Sequence, residues 1–169
     1  MRKRKIENVV GALALALSDP LHLDTQAQAP EPGPAAAAIA LIGHEPGLTI
    51  EQLRRALRLS HPGTVRLVDR LAKDGLVERR ASLEDRRAVA LHLTHAGEAS
   101  FAAILTARQT SIAWALKSLS SEEREMFGRL AEKLLGSLVQ DVDKAYQVCR
   151  LCDRQSCEAC PVEEALEID

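Results

Sequence analysis

The chain has 169 residues, 46% of them apolar, and a formal net charge of −2, so it can bury the core of one domain with helical extensions. The charge is uneven: residues 51–95 carry ten Arg or Lys against six Asp or Glu, residues 141–169 three against eight, and Arg2 to Lys5 form a basic start. A basic middle points to an anionic partner, and the absence of a nucleotide loop, a nucleophile motif or an acid–base pair excludes the common enzyme classes.

The apolar run IENVVGALALALS follows the basic start. It lacks a small-residue cleavage site and is too short to cross a bilayer, so it predicts a helix over 3–18 in a soluble, cytoplasmic chain. Next, SDPLHLDTQAQAPEPGP has no apolar period and predicts a linker over 19–34. AAAAIALIGHE predicts a second, tightly packed helix, ended between Gly43 and Gly47. Aromatics are limited to Phe101, Trp114, Phe127 and Tyr146, so Leu, Ala, Val and Ile must build the core.

Thr49 and Gln52 have capping-box spacing and start a third helix, which stops near Arg58. Ser60 is the N-cap of the next, with Pro62 tolerated in its first turn. That helix runs over about 61–74 and closes on Gly75. Val65, Val68, Leu71 and Ala72 give it a core face, while Arg66, Arg70 and Lys73 make a basic stripe opposite. The period then changes to alternation. LVERR (76–80) and AVALHLT (88–94) predict two strands, joined by the polar ASLEDRR. Thr94 caps a long helix over 95–119, and Ser120 with Glu123 opens another to about Gln147. The acidic SSEERE is the solvated start of that last helix rather than a catalytic pair. The Ala- and Leu-rich faces of both long helices suit packing against a second copy of the chain.

Helix, turn, helix and basic hairpin make a winged helix-turn-helix, mainly α with a small β-hairpin wing. The expected organisation is an N-terminal dimerisation helix and linker (1–34), the winged unit (35–94), long dimerisation helices (95–148) and a cysteine-rich acidic tail (149–169). A helix of this kind fits a major groove, and an arginine at a wing tip fits a narrow minor groove.

LSHPGTVRLVDRLAKDGLVERRASLEDRRAVALHLTHAGE (59–98) resembles the DNA-binding core of the MarR family of bacterial transcriptional regulators. The combination of recognition helix, DGLVERR, EDRRA and LT.AG carries the resemblance. It implies an obligate homodimer on a palindromic operator in double-stranded DNA, usually acting as a repressor and released by a small-molecule effector or by thiol oxidation. By position it assigns Ser60, His61, Gly63, Thr64, Arg66 and Arg70 to the DNA-facing side of the recognition helix. It also puts Arg86 and Arg87 on the wing, about 81–88, with Asp85 shaping it. Two features depart from the family: the Pro-rich 19–34 segment and the scarcity of aromatics for a phenolic pocket. Trp114 is read as dimer or core packing rather than a ligand plate.

All four cysteines fall in CRLCDRQSCEACP, with spacing C-x2-C-x4-C-x2-C. Two C-x2-C pairs are building blocks of a tetrahedral thiolate site, and Cys149, Cys152, Cys157 and Cys160 are candidate ligands of a structural zinc. Arg150 and Arg154 are close enough in sequence to offset part of the thiolate charge. Reversible disulfides, an iron–sulfur cluster and inert thiols remain open. The chain could therefore be a regulator that senses metal or oxidation through its tail. From a different class, it could be a metal or iron–sulfur redox protein that does not bind DNA. His92 and His95 flank the end of the second strand and read as solvated, and His22 and His44 have no evident partner.

Overall fold

The computed structural model describes residues 3–81, 89–157 and 159–166. In chain order the elements are α1 (Lys3–Gln26), α2 (Ala35–His44), β1 (Leu48–Thr49), α3 (Ile50–Leu57), α4 (His61–Lys73), β2 (Val77–Ala81), β3 (Val89–Leu93), α5 (His95–Leu116), α6 (Ser121–Leu138), α7 (Val142–Cys149), a 3-10 turn (Arg154–Ser156) and α8 (Pro161–Leu166). The sheet is antiparallel in the order β1-β3-β2, with Leu48 opposite Leu91 and Arg79 opposite Leu91 on the other edge. The mainly helical winged architecture is as expected. The two-residue β1 was not foreseen, being too short to show alternation.

The core centres on α2. Every residue from Ala35 to Ile42 is buried, and the five alanines among them let neighbouring backbones approach closely. Leu53, Ala56, Leu67, Val68 and Leu71 from the helical pair, Leu91 and Leu93 from β3, and Ile104 from α5 pack around it. Local chemistry sets the boundaries. Thr49 and Gln52 form the capping box of α3, Ser60 caps α4, and Ser120 with Glu123 caps α6.

Two boundaries differ from expectation. Helix α1 passes through Pro20 and ends at Gln26, eight residues beyond the predicted stop at 18. An internal proline costs a helix about 3 kcal/mol, but α1 lies along α5, and this packing keeps the turn after Pro20 helical. Within it Thr25 is fully buried and donates its hydroxyl to the Leu21 carbonyl at 2.7 Å. The connection is therefore 27–34, tied down where Ser100 donates to the Gln28 carbonyl. At the other end, the predicted helix from Ser120 to Gln147 is two helices. Val139 is extended, and Asp141 caps α7 by accepting from the Lys144 amide at 2.7 Å. A second, small core of Val139, Ala145 and Val162 forms beyond this break.

Candidate functional site

Helices α3 and α4 pack against each other across the turn Arg58–Ser60, and α4 shows two distinct sides. Thr64, Leu67, Val68 and Leu71 are buried, whereas His61, Arg66, Asp69, Arg70 and Lys73 are exposed. Among the described residues Arg66 and Lys73 make no ion pair, so both charges face solvent.

The structure places the other candidate residues in different roles. Ser60 is exposed, but its hydroxyl oxygen accepts from the Gly63 amide at 3.2 Å, so it works as a cap. Gly63 is half-buried, and a Cβ there would lie 3.0 Å from that same hydroxyl. Thr64 is corrected. It is fully buried, donates to the Ser60 carbonyl at 3.1 Å and does not face outward. Its place four residues before Val68 and seven before Leu71 already puts it on the core face. Arg70 is exposed yet held by Glu31 of the 27–34 connection at 2.7 Å. Arg79 on β2 pairs with Asp69 of α4 at 2.7 Å, and Arg80 pairs with Glu78. Asp85, Arg86 and Arg87 lie outside the described residues.

The four cysteines are not paired as disulfides and line one cavity of about 640 Å³, whose wall also includes Glu45, Arg108, Tyr146 and Arg154. The Cys149 thiol donates to the Cys152 sulfur. This hydrogen bond, helped by Arg108 and Arg154, pulls the Cys152 thiol down to about 6, while the same bond and burial push Cys149 up. The tail around them is docked onto the winged unit. Tyr146 donates to Glu45 at 2.8 Å and Arg154 donates to its other oxygen at 2.6 Å. The His44 ring donates from Nε2 to the Cys152 carbonyl and meets Phe101 edge-on at 5.0 Å. Burial lowers the His44 pKa, so the ring is neutral at pH 7. Helix α7 packs on α3, and Leu151 enters the main core. The roles of Glu45, Tyr146 and Arg108 were invisible in the sequence, because their partners lie far away along the chain. His92 is half-buried and His95 exposed, and Trp114 is 74% exposed on α5. No described helix is long and apolar enough to cross a membrane.

Comparison with known proteins agrees with this geometry. Residues 32–88 match the MarR family model. The HTH-type transcriptional regulator BilQ of Clostridium symbiosum is 33% identical over 99 residues, which cover 57% of this chain and 67% of that protein. The structure of a MarR family protein from Bacillus stearothermophilus superposes with a TM-score of 0.67 at 28% identity, covering 79% of this chain and 95% of the other. Streptococcus pneumoniae FabT, solved in complex with DNA, superposes with a TM-score of 0.50 at 27% identity over 57% of this chain and 68% of its own. With this helix-turn-helix and these relatives, the chain belongs to the MarR family of transcriptional regulators, a non-enzymatic family.

Proposed function

We propose that the chain acts as a homodimer that binds a palindromic operator, with α4 in the major groove and the 82–88 segment, through Arg86 and Arg87, at the adjacent minor groove. The observation that carries this reading is α4 itself: one side is fixed in the core, and the other presents His61, Arg66, Arg70 and Lys73 to solvent. A helix held this way offers arginine to base edges and phosphates. The dimer rests on two apolar stripes exposed in the protomer, Ile6, Val9, Val10 and Leu13 on α1 and Met126, Leu130, Leu134 and Leu138 on α6. A bound dimer excludes polymerase from the same DNA, so its default output is repression. The cavity between α1, α2, α3 and the tail, lined by His22, Arg58 and Arg150, suits a small anionic effector.

Operator binding tests the reading. Arg66→Ala is expected to weaken specific binding by about 1–3 kcal/mol and to lower the salt slope by roughly one unit, as loss of a base or phosphate contact does. The measurement is fluorescence anisotropy across a salt series. Wild-type affinity and slope in the variant would remove α4 from the interface.

Arg70 gives a second, opposite expectation. Its guanidinium is held by Glu31 in an exposed pair of the kind that water and salt weaken. DNA phosphate must compete with that carboxylate. Glu31→Gln is therefore expected to tighten DNA binding by a few-fold at low salt, with the gain fading as salt screens the charges. Weaker binding in Glu31→Gln would mean that the pair positions Arg70 for DNA instead of competing with it.

A further inference from the structure

The operator reading proposed above leaves the cysteine cluster unused. Its geometry is nonetheless specific. Cys149 feels the charge of Cys152 and Cys160, and Cys157 that of Cys160 and Cys152, so the four thiols make one electrostatic cluster. Each C-x2-C pair sits at the end of a helix. Cys149 is the last residue of α7, and the Cys152 amide turns back to its carbonyl at 2.9 Å. Cys160 precedes α8, and its carbonyl accepts the Glu164 amide. All four line one cavity wall. Among the described residues no three ligating groups already surround a common point, so the sulfurs must move together for all four to bind one ion.

We infer that Cys149, Cys152, Cys157 and Cys160 are the thiolate ligands of one zinc-class cation, and that its binding locks the C-terminal segment onto the helix-turn-helix unit. Tetrahedral thiolate sites are built from such pairs. The charges also fit. Four thiolates around a divalent ion leave two negative charges, which Arg108 and Arg154 offset in part while Asp153 acts against them. Ligation converts every sulfur still protonated to the thiolate and releases its proton to solvent, with no change of oxidation state. The segment also needs a clasp, since its own core is only Val139, Ala145 and Val162. Leu151, between two ligands, is in the main core, the Cys152 carbonyl meets His44, and Arg154 holds Glu45. Drawing the four sulfurs onto one ion therefore fixes groups that touch the end of α2 and the flank of α3.

The test uses the full chain purified without chelator. Elemental analysis is expected to find one zinc per chain. Cobalt(II) exchanged into the site is expected to show the charge-transfer and ligand-field absorption of a tetrahedral thiolate complex, and the double variant Cys157→Ser/Cys160→Ser should lose both. Should that variant misfold, wild-type protein stripped with a chelator gives the same information. Its α7 and α3 amides are expected to exchange at least about tenfold faster by hydrogen–deuterium exchange, and added zinc should restore protection. Disulfides without metal, an iron–sulfur absorption spectrum, or a cobalt spectrum that survives in the double variant would each overturn the site. A bound ion with unchanged α3 exchange would overturn the lock. None of these readouts involves DNA, so they stand or fall separately from the operator reading.

Discussion

Gly97→Ala is expected to destabilise the chain by roughly 1–3 kcal/mol or more, although it adds a single methyl group in the first turn of a helix, where alanine is normally favoured. A Cβ built on Gly97 lies 2.1 Å from the Leu76 carbonyl oxygen and 3.1 Å from the Leu93 side chain. The first of these is backbone, so no rotamer change relieves it. The same carbonyl accepts the Thr94 amide at 3.0 Å, and the Thr94 hydroxyl donates to the Gly75 carbonyl while accepting from the Gly97 amide. The turn that closes α4 is thereby fastened to the start of α5. Moving α5 away to admit the methyl breaks those bonds as well. A loss of this size lowers the melting temperature of a chain this long by roughly 2–4 °C per kcal/mol. Thermal unfolding followed by circular dichroism measures it, and a midpoint within a degree of wild type would show that the turn can slide without cost.

That contact supplies a physical reason for part of the sequence pattern. In LTHAG, the threonine is the cap and the glycine is the space its neighbour needs. The winged unit was legible because its signals are local: capping boxes at Thr49 and Ser120, the Ser60 cap, Gly75 with φ +71, and a change from helical to alternating period. What escaped depends on distant partners. The helix continues past Pro20 because α5 supports it, and a breaker read alone gives the opposite answer. Arg66 and Arg70 are indistinguishable in sequence, yet only Arg70 meets Glu31, 39 residues away. Thr64 was read by resemblance as outward although its helical position says inward. The cysteine spacing pointed to a site. Its docking against Glu45, about a hundred residues away, appears only once α7 lies on α3.

Leu130→Glu combined with Leu134→Glu is expected to give a folded monomer that has lost most of its operator affinity. Met126, Leu130, Leu134 and Leu138 recur every four residues on α6, and each is more than half exposed in the protomer. Burying one such side chain fully is worth about 1.5–3 kcal/mol, so a seam that covers this stripe and the one on α1 would suffice for the proposed dimer. The glutamates put charge at its centre, where leaving the seam for water costs less than burying unpaired carboxylates. The protomer core should survive, since neither leucine belongs to it. Circular dichroism is expected to be unchanged while sedimentation velocity shows half the mass. A monomer meets one half-site at a time, and without the second contact operator affinity should fall by roughly 10²–10⁴-fold. Binding to an isolated half-site would keep its wild-type intrinsic strength, because α4 is untouched. If the variant stays dimeric, the seam lies on another face. If it is monomeric yet binds the full operator as tightly as wild type, the two half-sites are not read together.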